Sequence, residues 1–406
     1  MSTPDLTAQE WMSAESSKAV IAALEVAGGQ DCARYVGGCV RNAILGAPVD
    51  DVDIATQLLP NEVLAALKQA TIRAVPTGIE HGTITAVVQG RPYEITTLRR
   101  DVETDGRRAV VAFTKDWAED AARRDFHLNA LYASGTGQIF DPTGYGLDDA
   151  LAGRIAFVGE AEQRIREDYL RILRFYRFWA WYGRGPVDAA GHAACSALAQ
   201  GVATLSAERI SKELLKLLAA PDPVPAVDAM MDAGVLGVLL PKLETSLFRA
   251  VAGISGDPLL RLAALLPRDQ TVATDEAKRL RLSNHQRDRW LAAIIPLPSD
   301  LNAKQAREVI WQAGAQAFAD RSILAEAGSP QLAPYAALRE MARDWVPPPM
   351  PVGGRDLADL GIKAGPMTGQ ILKAFQASWI ADDFPAHGHH ERLAQAIRQI
   401  VPAGNG

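Results

Sequence analysis

At 406 residues the chain is too long for one hydrophobic core and is expected to divide into two to four units. Its 48% hydrophobic and 22% charged residues describe an ordinary folded protein, and no run is long and apolar enough to span a membrane. A net charge of −6 excludes a protein that coats nucleic acid indiscriminately, while leaving room for a local basic footprint. Met1 to Glu10 is polar and has no apolar signal-peptide core. The three cysteines, Cys32, Cys39 and Cys195, form no zinc pattern. Both features suit a reducing, cytoplasmic setting.

In chain order, Arg34-Tyr35-Val36 reads as a short strand running into Gly37-Gly38. Glycines there permit a sharp turn and a close approach of backbone to a ligand. Val40 to Leu45 has helical periodicity and stops at Gly46. Gly37 and Gly38 therefore sit at a helix N-terminus, where backbone N–H groups favour phosphate. Arg41, on the first turn, adds a forked donor for a phosphate oxygen. After Ala47-Pro48-Val49, the run Asp51-Val52-Asp53-Ile54 alternates as a strand. Alternation places Val52 and Ile54 on one face and Asp51 and Asp53 on the other, with the carboxylates ~6–7 Å apart. Such a pair can share one or two hard cations such as Mg²⁺, which would activate a hydroxyl and neutralise a leaving pyrophosphate. A lone Asp-x-Asp is usually a solvated strand end. In this order and spacing, beside the glycine turn, the nucleotide-and-metal reading is favoured.

The runs Val36-Gly37-Gly38-Cys39-Val40-Arg41-Asn42-Ala43-Ile44-Leu45-Gly46 and Asp51-Val52-Asp53-Ile54-Ala55-Thr56 resemble the signature of the class II tRNA nucleotidyltransferases. That group contains CCA-adding enzymes and bacterial poly(A) polymerases and belongs to the polymerase-β-like nucleotidyltransferase superfamily. The resemblance continues along the chain. His81–Val88 and Tyr93–Leu98 read as a hairpin around a Gly/Pro turn and match the next two head strands. Glu94 there is a candidate third carboxylate beside Asp51 and Asp53; a surface glutamate is the alternative. Arg99 to Arg108 reads as a charged loop without periodicity. The resemblance makes it a mobile loop that helps switch addition from C to A.

Asp120 to Leu131 matches the second conserved block. By that resemblance Arg124 contacts the triphosphate, while Asp125 and Asn129 shape the ribose and metal surroundings. His127 stands where threonine is usual, and Asn42 where aspartate is usual. His127 reads as a packing change, and Asn42 removes a charge beside Arg41. Asp141-Pro142-Thr143-Gly144 resembles the head-to-neck connector.

Ile165 to Phe178 carries one apolar helical stripe, with Asp168, Arg171 and Arg174 at i, i+3, i+6. On helix statistics an internal Asp–Arg ion pair is the plainer reading. The resemblance makes Asp168 and Arg171 a base-reading pair, with Arg174 and Arg177 near the triphosphate or base. The chemistry of such a pair follows from hydrogen bonding. Cytosine and adenine present an amine donor beside a ring-nitrogen acceptor, whereas uracil and guanine present the reverse. An accepting aspartate and a donating arginine therefore suit C and A. A wrong base leaves buried polar groups opposed, at ~1–3 kcal/mol per group. Ala207 to Leu215 resembles the last neck block, with Glu208 and Arg209 in structural ion pairs.

The expected fold is α+β: a polymerase-β-like head with a small mixed sheet over residues 1–150, then helices only. These would form a neck (151–225), a body (226–345) and a tail (346–406) that resembles a tRNA-holding segment. Proline-rich breaks at 221–225 and 346–351 support the later boundaries. His387, His389 and His390 read as a surface cluster. The resemblance implies addition of C, C and A to the tRNA 3′ end from CTP and ATP with Mg²⁺. A poly(A) polymerase, an enzyme adding only A, and a non-catalytic RNA-binding protein are the alternatives. The charged loop after Thr97 weighs against the first, and retention of both aspartates against the last.

Overall fold

Every strand among the described residues falls between Ala33 and Phe140, and helices dominate everything after it. The computed structural model describes residues 5–105, 108–298, 301–331 and 333–401. The chain forms two compact units, Met1–Leu243 and Glu244–Gly406.

The first unit is built on a seven-stranded sheet. Its strands are β1 (Ala33–Val36), β2 (Asp53–Thr56), β3 (Arg73–Gly78), β4 (Thr83–Val88), β5 (Arg91–Thr97), β8 (Tyr132–Ala133) and β9 (Ile139–Phe140). The order is β3-β4-β5-β2-β1-β8-β9. Only β2 and β5 run parallel; the other neighbours are antiparallel. The expected β4–β5 hairpin is present, turning on Gln89 and Gly90, both at positive φ (52° and 79°). Two such residues give the turn whose twist matches the strands it joins. Ile84 and Ile95 alternate with polar neighbours and, like Ile54, are wholly buried. Helices Glu15–Gly28 and Pro60–Gln69 pack on each other and on this sheet.

The segment read as a loop is a two-stranded ribbon, β6 (Arg99–Asp105) and β7 (Arg108–Phe113), separate from the main sheet. The charged first half shows no strand pattern by itself. The run Ala109-Val110-Val111-Ala112-Phe113 supplies a strand-prone partner, and cross-strand pairing completes the ribbon. Gly106 and Arg107 of that segment lie outside the described residues.

The helix expected to run unbroken through Asp168 is two helices. Ala161–Glu167 ends at Asp168, whose backbone is extended (φ −155°, ψ 107°), and Leu170–Tyr182 follows. The Asp168 carboxylate accepts the Leu170 N–H at 3.1 Å, so the side chain stabilises the start of the second helix. Helix Leu170–Tyr182 packs on Ala207–Leu218 and on Val224–Asp232. An aromatic cluster fastens it to the sheet-bearing region. Phe126 is wholly buried and lies 4.9 Å from Phe157, 5.3 Å from Phe178 and 6.3 Å from Phe175, centroid to centroid.

Strands are absent from the described residues of the second unit. One core gathers Ile310, Phe318 and Leu338; another gathers Ile371, Phe375, Trp379 and Leu393. Asp257, Asp269, Ser283 and Asn302 cap four of its helices through their side chains. His389 opens the last helix against Phe375, and His387 and His390 are exposed.

The aromatic cluster sets a stability expectation. Phe126→Ala removes a buried ring from the joint between sheet and helices and should cost ~3–5 kcal/mol. Urea unfolding of the two proteins measures it; a loss below ~1 kcal/mol would show that the cluster does not fasten these parts together.

Candidate active site

The glycine turn is the geometric origin of the site. β1 ends at Val36, and Gly37 turns the chain with φ +71° and ψ −120°, a conformation that side-chain-bearing residues rarely adopt. Helix Gly38–Leu45 begins at once, and its end at Gly46 is left-handed. Two guanidiniums close on this turn. A Cβ placed on Gly37 would lie 3.6 Å from Arg124 Nη1, and one on Gly38 would lie 3.8 Å from Arg41 Nη2.

Each of these arginines is held by its own set of acceptors. Arg41 is buried and donates to Asn129 Oδ1, to Asn42 Oδ1 from Nε (3.1 Å) and Nη2 (2.8 Å), and to the Tyr182 hydroxyl (3.0 Å). Its guanidinium also lies 4.2 Å over the Tyr182 ring. Burial holds its pKa below the usual arginine range. Asn42, in turn, donates to the Pro48 carbonyl at 2.7 Å. Its amide oxygen thus takes the accepting role that an aspartate would have.

Arg124 donates to Asp120 Oδ2 at 3.0 Å and to the Tyr132 hydroxyl at 3.2 Å. Asp120 is 1% exposed and also accepts from Arg123 and from the Tyr132 hydroxyl. Burial pushes the Asp120 carboxyl up, but Arg124, Arg123 and the Tyr132 hydroxyl outweigh it and hold the group down at about 2. Asp120 was not among the expected site residues. Its spacing to Arg123 and Arg124, i, i+3 and i, i+4 across the end of helix Trp117–Ala122, was the available signal.

The carboxylates gather at the parallel β2–β5 junction. Asp53 is the direct register partner of Glu94. Ile54 and Ile95, next along each strand, point to the buried face, so the two acids share the other. Asp51 does not lie on the strand as expected. β2 starts at Asp53, because the ladder with β5 ends there, and Asp51 is exposed in the segment leading in. Burial first, then Glu94 and Asp51, push the Asp53 carboxyl up to about 6, against the pull of Arg124. A group in that state gains from any cation placed beside it. No three His, Cys, Asp or Glu side chains form a ready metal cage among the described residues.

A second cluster joins the glycine turn to helix Leu170–Tyr182. Asn129 donates to Asp125 Oδ1 at 3.0 Å, and Arg174 Nε donates to Asp125 Oδ2 at 2.7 Å. Burial opposes ionisation of Asp125, but Arg174 and the hydrogen bonds from Asn129 and Phe126 N–H lower its pKa on balance. Glu213 accepts from Arg177 and lies 4.0 Å from Arg174. It sits with Ile210, Leu214 and Leu217 on the buried stripe of helix Ala207–Leu218, and an acid in that stripe was the overlooked sign of its pairing.

Asp168 and Arg171 lie within the same region but do not pair through their side chains. Asp168 Oδ2 accepts from Arg209 Nη2 at 2.6 Å. Arg171 Nη1 donates to Glu167 at 2.5 Å and to the Arg164 carbonyl at 2.7 Å. His127 lies apart from this cluster, with Nδ1 2.8 Å from buried Asp149.

Residues 33–156 match the poly A polymerase head domain, and residues 187–247 match a probable RNA and SrmB binding site of polymerase A. The mitochondrial CCA tRNA nucleotidyltransferase 1 of Mus musculus is 36% identical over 363 residues, 85% of this chain and 82% of its own. A CCA-adding enzyme of Limosilactobacillus fermentum is 34% identical over 379 residues, 88% of this chain and 90% of its own. This chain belongs to the CCA-adding tRNA nucleotidyltransferase family. The Bacillus stearothermophilus CCA-adding enzyme, solved in complex with CTP, superposes with a TM-score of 0.74 at 26% identity, covering 95% of this chain and 97% of that one. A Thermotoga maritima CCA-adding enzyme solved with tRNA shares the fold, with a TM-score of 0.67 at 19% identity over 90% of this chain and 91% of that one. The expected family, enzyme class and α+β fold are thereby borne out. No helix among the described residues is long and apolar enough to cross a membrane.

The depressed Asp120 carboxyl fixes an acid limb for this nucleotidyltransferase. With an unfolded value near ~3.9 and a folded value of about 2, its contribution is complete above pH ~4 and is lost as pH falls toward 2. Asp120→Asn should therefore destabilise the protein at pH 7 and leave a shallower fall of stability below pH 4. Thermal melts from pH 7 to pH 3 test this; parallel curves for both proteins would refute it.

Proposed function

We propose that this chain adds C, C and A in order to the 3′ end of tRNA, taking CMP from CTP twice and AMP from ATP once and releasing pyrophosphate. One observation supports the reading above others. The guanidiniums of Arg41 and Arg124 close on one glycine turn, Asp53 lies close enough to both Glu94 and Arg124 to feel their charges, and the Arg41–Asn129–Asp125–Arg174 chain ties that turn to the helix that follows Asp168.

In this reading Gly37, Gly38, Arg41 and Arg124 hold the triphosphate, with backbone N–H groups and two fixed forks receiving its charge. Asp125 and Asn129 border the ribose. Asp168 accepts from the base's exocyclic amine, and Arg171 donates to its ring nitrogen, which suits C and A alike. Arg174 and Arg177 position this region through Asp125 and Glu213 rather than by touching the base. Asp51 and Asp53, with Glu94 beside them, would hold Mg²⁺. The fit rests on the donor set: Asp53 stands in register with Glu94, and burial and the charges of Glu94 and Asp51 raise its carboxyl more than Arg124 lowers it. Few protein ligands plus substrate phosphates is the usual setting for this ion. When bound, the ion supplies charge neutralisation and a more acidic 3′-hydroxyl. The protein's own task is to hold that hydroxyl in line with the α-phosphate and to keep the triphosphate extended. Residues 1–150, 151–225, 226–345 and 346–406 serve as catalytic head, selecting neck, body and tRNA-holding tail. Three buried free thiols fit a reducing compartment, and we place the protein in the cytoplasm.

Nucleotide incorporation into tRNA transcripts lacking CCA, ending in C, or ending in CC tests the reading, with each nucleoside triphosphate and Mg²⁺. Ordered C, C, A addition that stops there is expected, and Asp51→Ala or Asp53→Ala should reduce it at least ~10³-fold. Open-ended A addition would indicate poly(A) synthesis instead. A added only to the CC transcript would indicate an A-adding enzyme, and no incorporation would remove the catalytic reading.

The crowded carboxylates give a second test. Without divalent ions at pH 7.5, Asp53→Asn should raise the melting temperature by ~2–4 °C by removing a confined charge. Mg²⁺ should raise the melting temperature of the unsubstituted protein more than that of the variant. Equal responses to Mg²⁺ would dissociate Asp53 from metal binding.

A further inference from the structure

We propose that Arg209 is a positioning residue for base selection: it fixes the Asp168 carboxylate in the orientation that accepts from C and A. The inference rests on the reading of Asp168 and Arg171 as the base-reading pair.

Asp168 sits where one helix has ended and the next has not begun, with extended backbone. No helical turn restrains its side chain there. Two hydrogen bonds do so instead. One carboxylate oxygen accepts the Leu170 N–H at 3.1 Å, and the other accepts Arg209 Nη2 at 2.6 Å. Each oxygen has two lone-pair positions, so one position on each stays available to a base. The Leu170 bond alone leaves the carboxylate free to swing about it. The Arg209 bond removes that freedom, because Arg209 comes from a separate helix, Ala207–Leu218, packed against Leu170–Tyr182.

That helix is itself anchored. One turn after Arg209, Glu213 is buried and receives Arg177 from the opposing helix. Arg209 thus works from a fixed support. Its side chain and that of Asp168 are 28% and 24% exposed, so a base can reach the pair without dismantling it. Arg171 is restrained separately by Glu167 and the Arg164 carbonyl. The acceptor half and the donor half of the base reader are therefore oriented by different residues, and they can be perturbed one at a time.

The consequence is selective. Loss of Arg209 frees the acceptor half, and an Asp168 that can rotate away no longer opposes the carbonyl of uracil. Discrimination between CTP and UTP then falls while triphosphate binding at the glycine turn persists.

The test measures kcat/KM for CTP and for UTP on the tRNA transcript lacking CCA, in the unsubstituted protein, Arg209→Gln and Arg209→Lys. Inhibition by inorganic pyrophosphate with Mg²⁺ serves as a probe of the triphosphate site. For Arg209→Gln the CTP/UTP ratio should fall about tenfold, the size of one lost charge-assisted hydrogen bond. The pyrophosphate inhibition constant should stay within about twofold. Arg209→Lys, which restores a cationic donor, should recover much of the ratio. An unchanged ratio in an active Arg209→Gln protein would overturn the proposal. So would equal losses for CTP, UTP and pyrophosphate, which mark a merely structural role. If Arg209→Gln does not fold, Arg209→Lys decides alone: its shorter side chain meets the carboxylate more weakly and should lower the ratio by a smaller but measurable amount, and an unchanged ratio would overturn the proposal. An unsubstituted protein that incorporates neither C nor A would overturn the functional reading and this proposal together. An active one with a ratio insensitive to Arg209 would overturn only the proposal.

Discussion

Asp125 holds together the two parts on which any reaction at this site depends. Its carboxylate accepts from Arg174 on helix Leu170–Tyr182 and from Asn129 beside the glycine turn, and Asn129 accepts from Arg41. The glycine turn at Gly37 and the helix break at Asp168 lie more than a hundred positions apart in sequence, so their separation must be set by tertiary bonds. Charge-assisted bonds with fixed forks suit this task, because they constrain direction as well as distance. The Phe126, Phe157, Phe175 and Phe178 cluster excludes water from the same joint, which strengthens the polar links beside it.

Charge at the site is deliberately unbalanced. On the basic side, Arg124 is matched by Asp120 and Tyr132, and Arg41 by neutral acceptors only. On the acidic side, Asp53 faces Glu94 with Asp51 close by. In the proposed function a ligand carrying both signs of charge would satisfy both sides. A nucleoside triphosphate with a divalent cation is a ligand of that kind. Asn42 fits the same logic. An aspartate there would neutralise Arg41 outright, whereas the amide oxygen orients the guanidinium and leaves its charge for substrate.

Local pattern made part of this legible before any coordinates. The Gly37-Gly38 turn, the helix ending at Gly46, the β4–β5 hairpin and the all-helical later chain each announce themselves within ten or so residues. Partners across longer separations do not. Asp168 and Arg209 are 41 residues apart, and Arg177 and Glu213 are 36 apart. Periodicity also misled where a side chain overrode it. The apolar stripe continues through Asp168, but its carboxylate caps the next helix, so the helix breaks there. The ribbon of β6 and β7 was hidden because one strand is charged and gains order only from its apolar-rich partner.

The break at Asp168 joins these points. Within a continuous helix, Asp168 and Arg171 would stand one turn apart and neutralise each other, which is the plain reading of their spacing. Extending the backbone at Asp168 separates the two side chains and hands each to another partner, Arg209 and Glu167. An acceptor and a donor are then held apart instead of joined to one another. In the proposed function the pair reads bases without a template strand and needs this separation, since a side-chain pair that has satisfied itself has nothing left to offer a base.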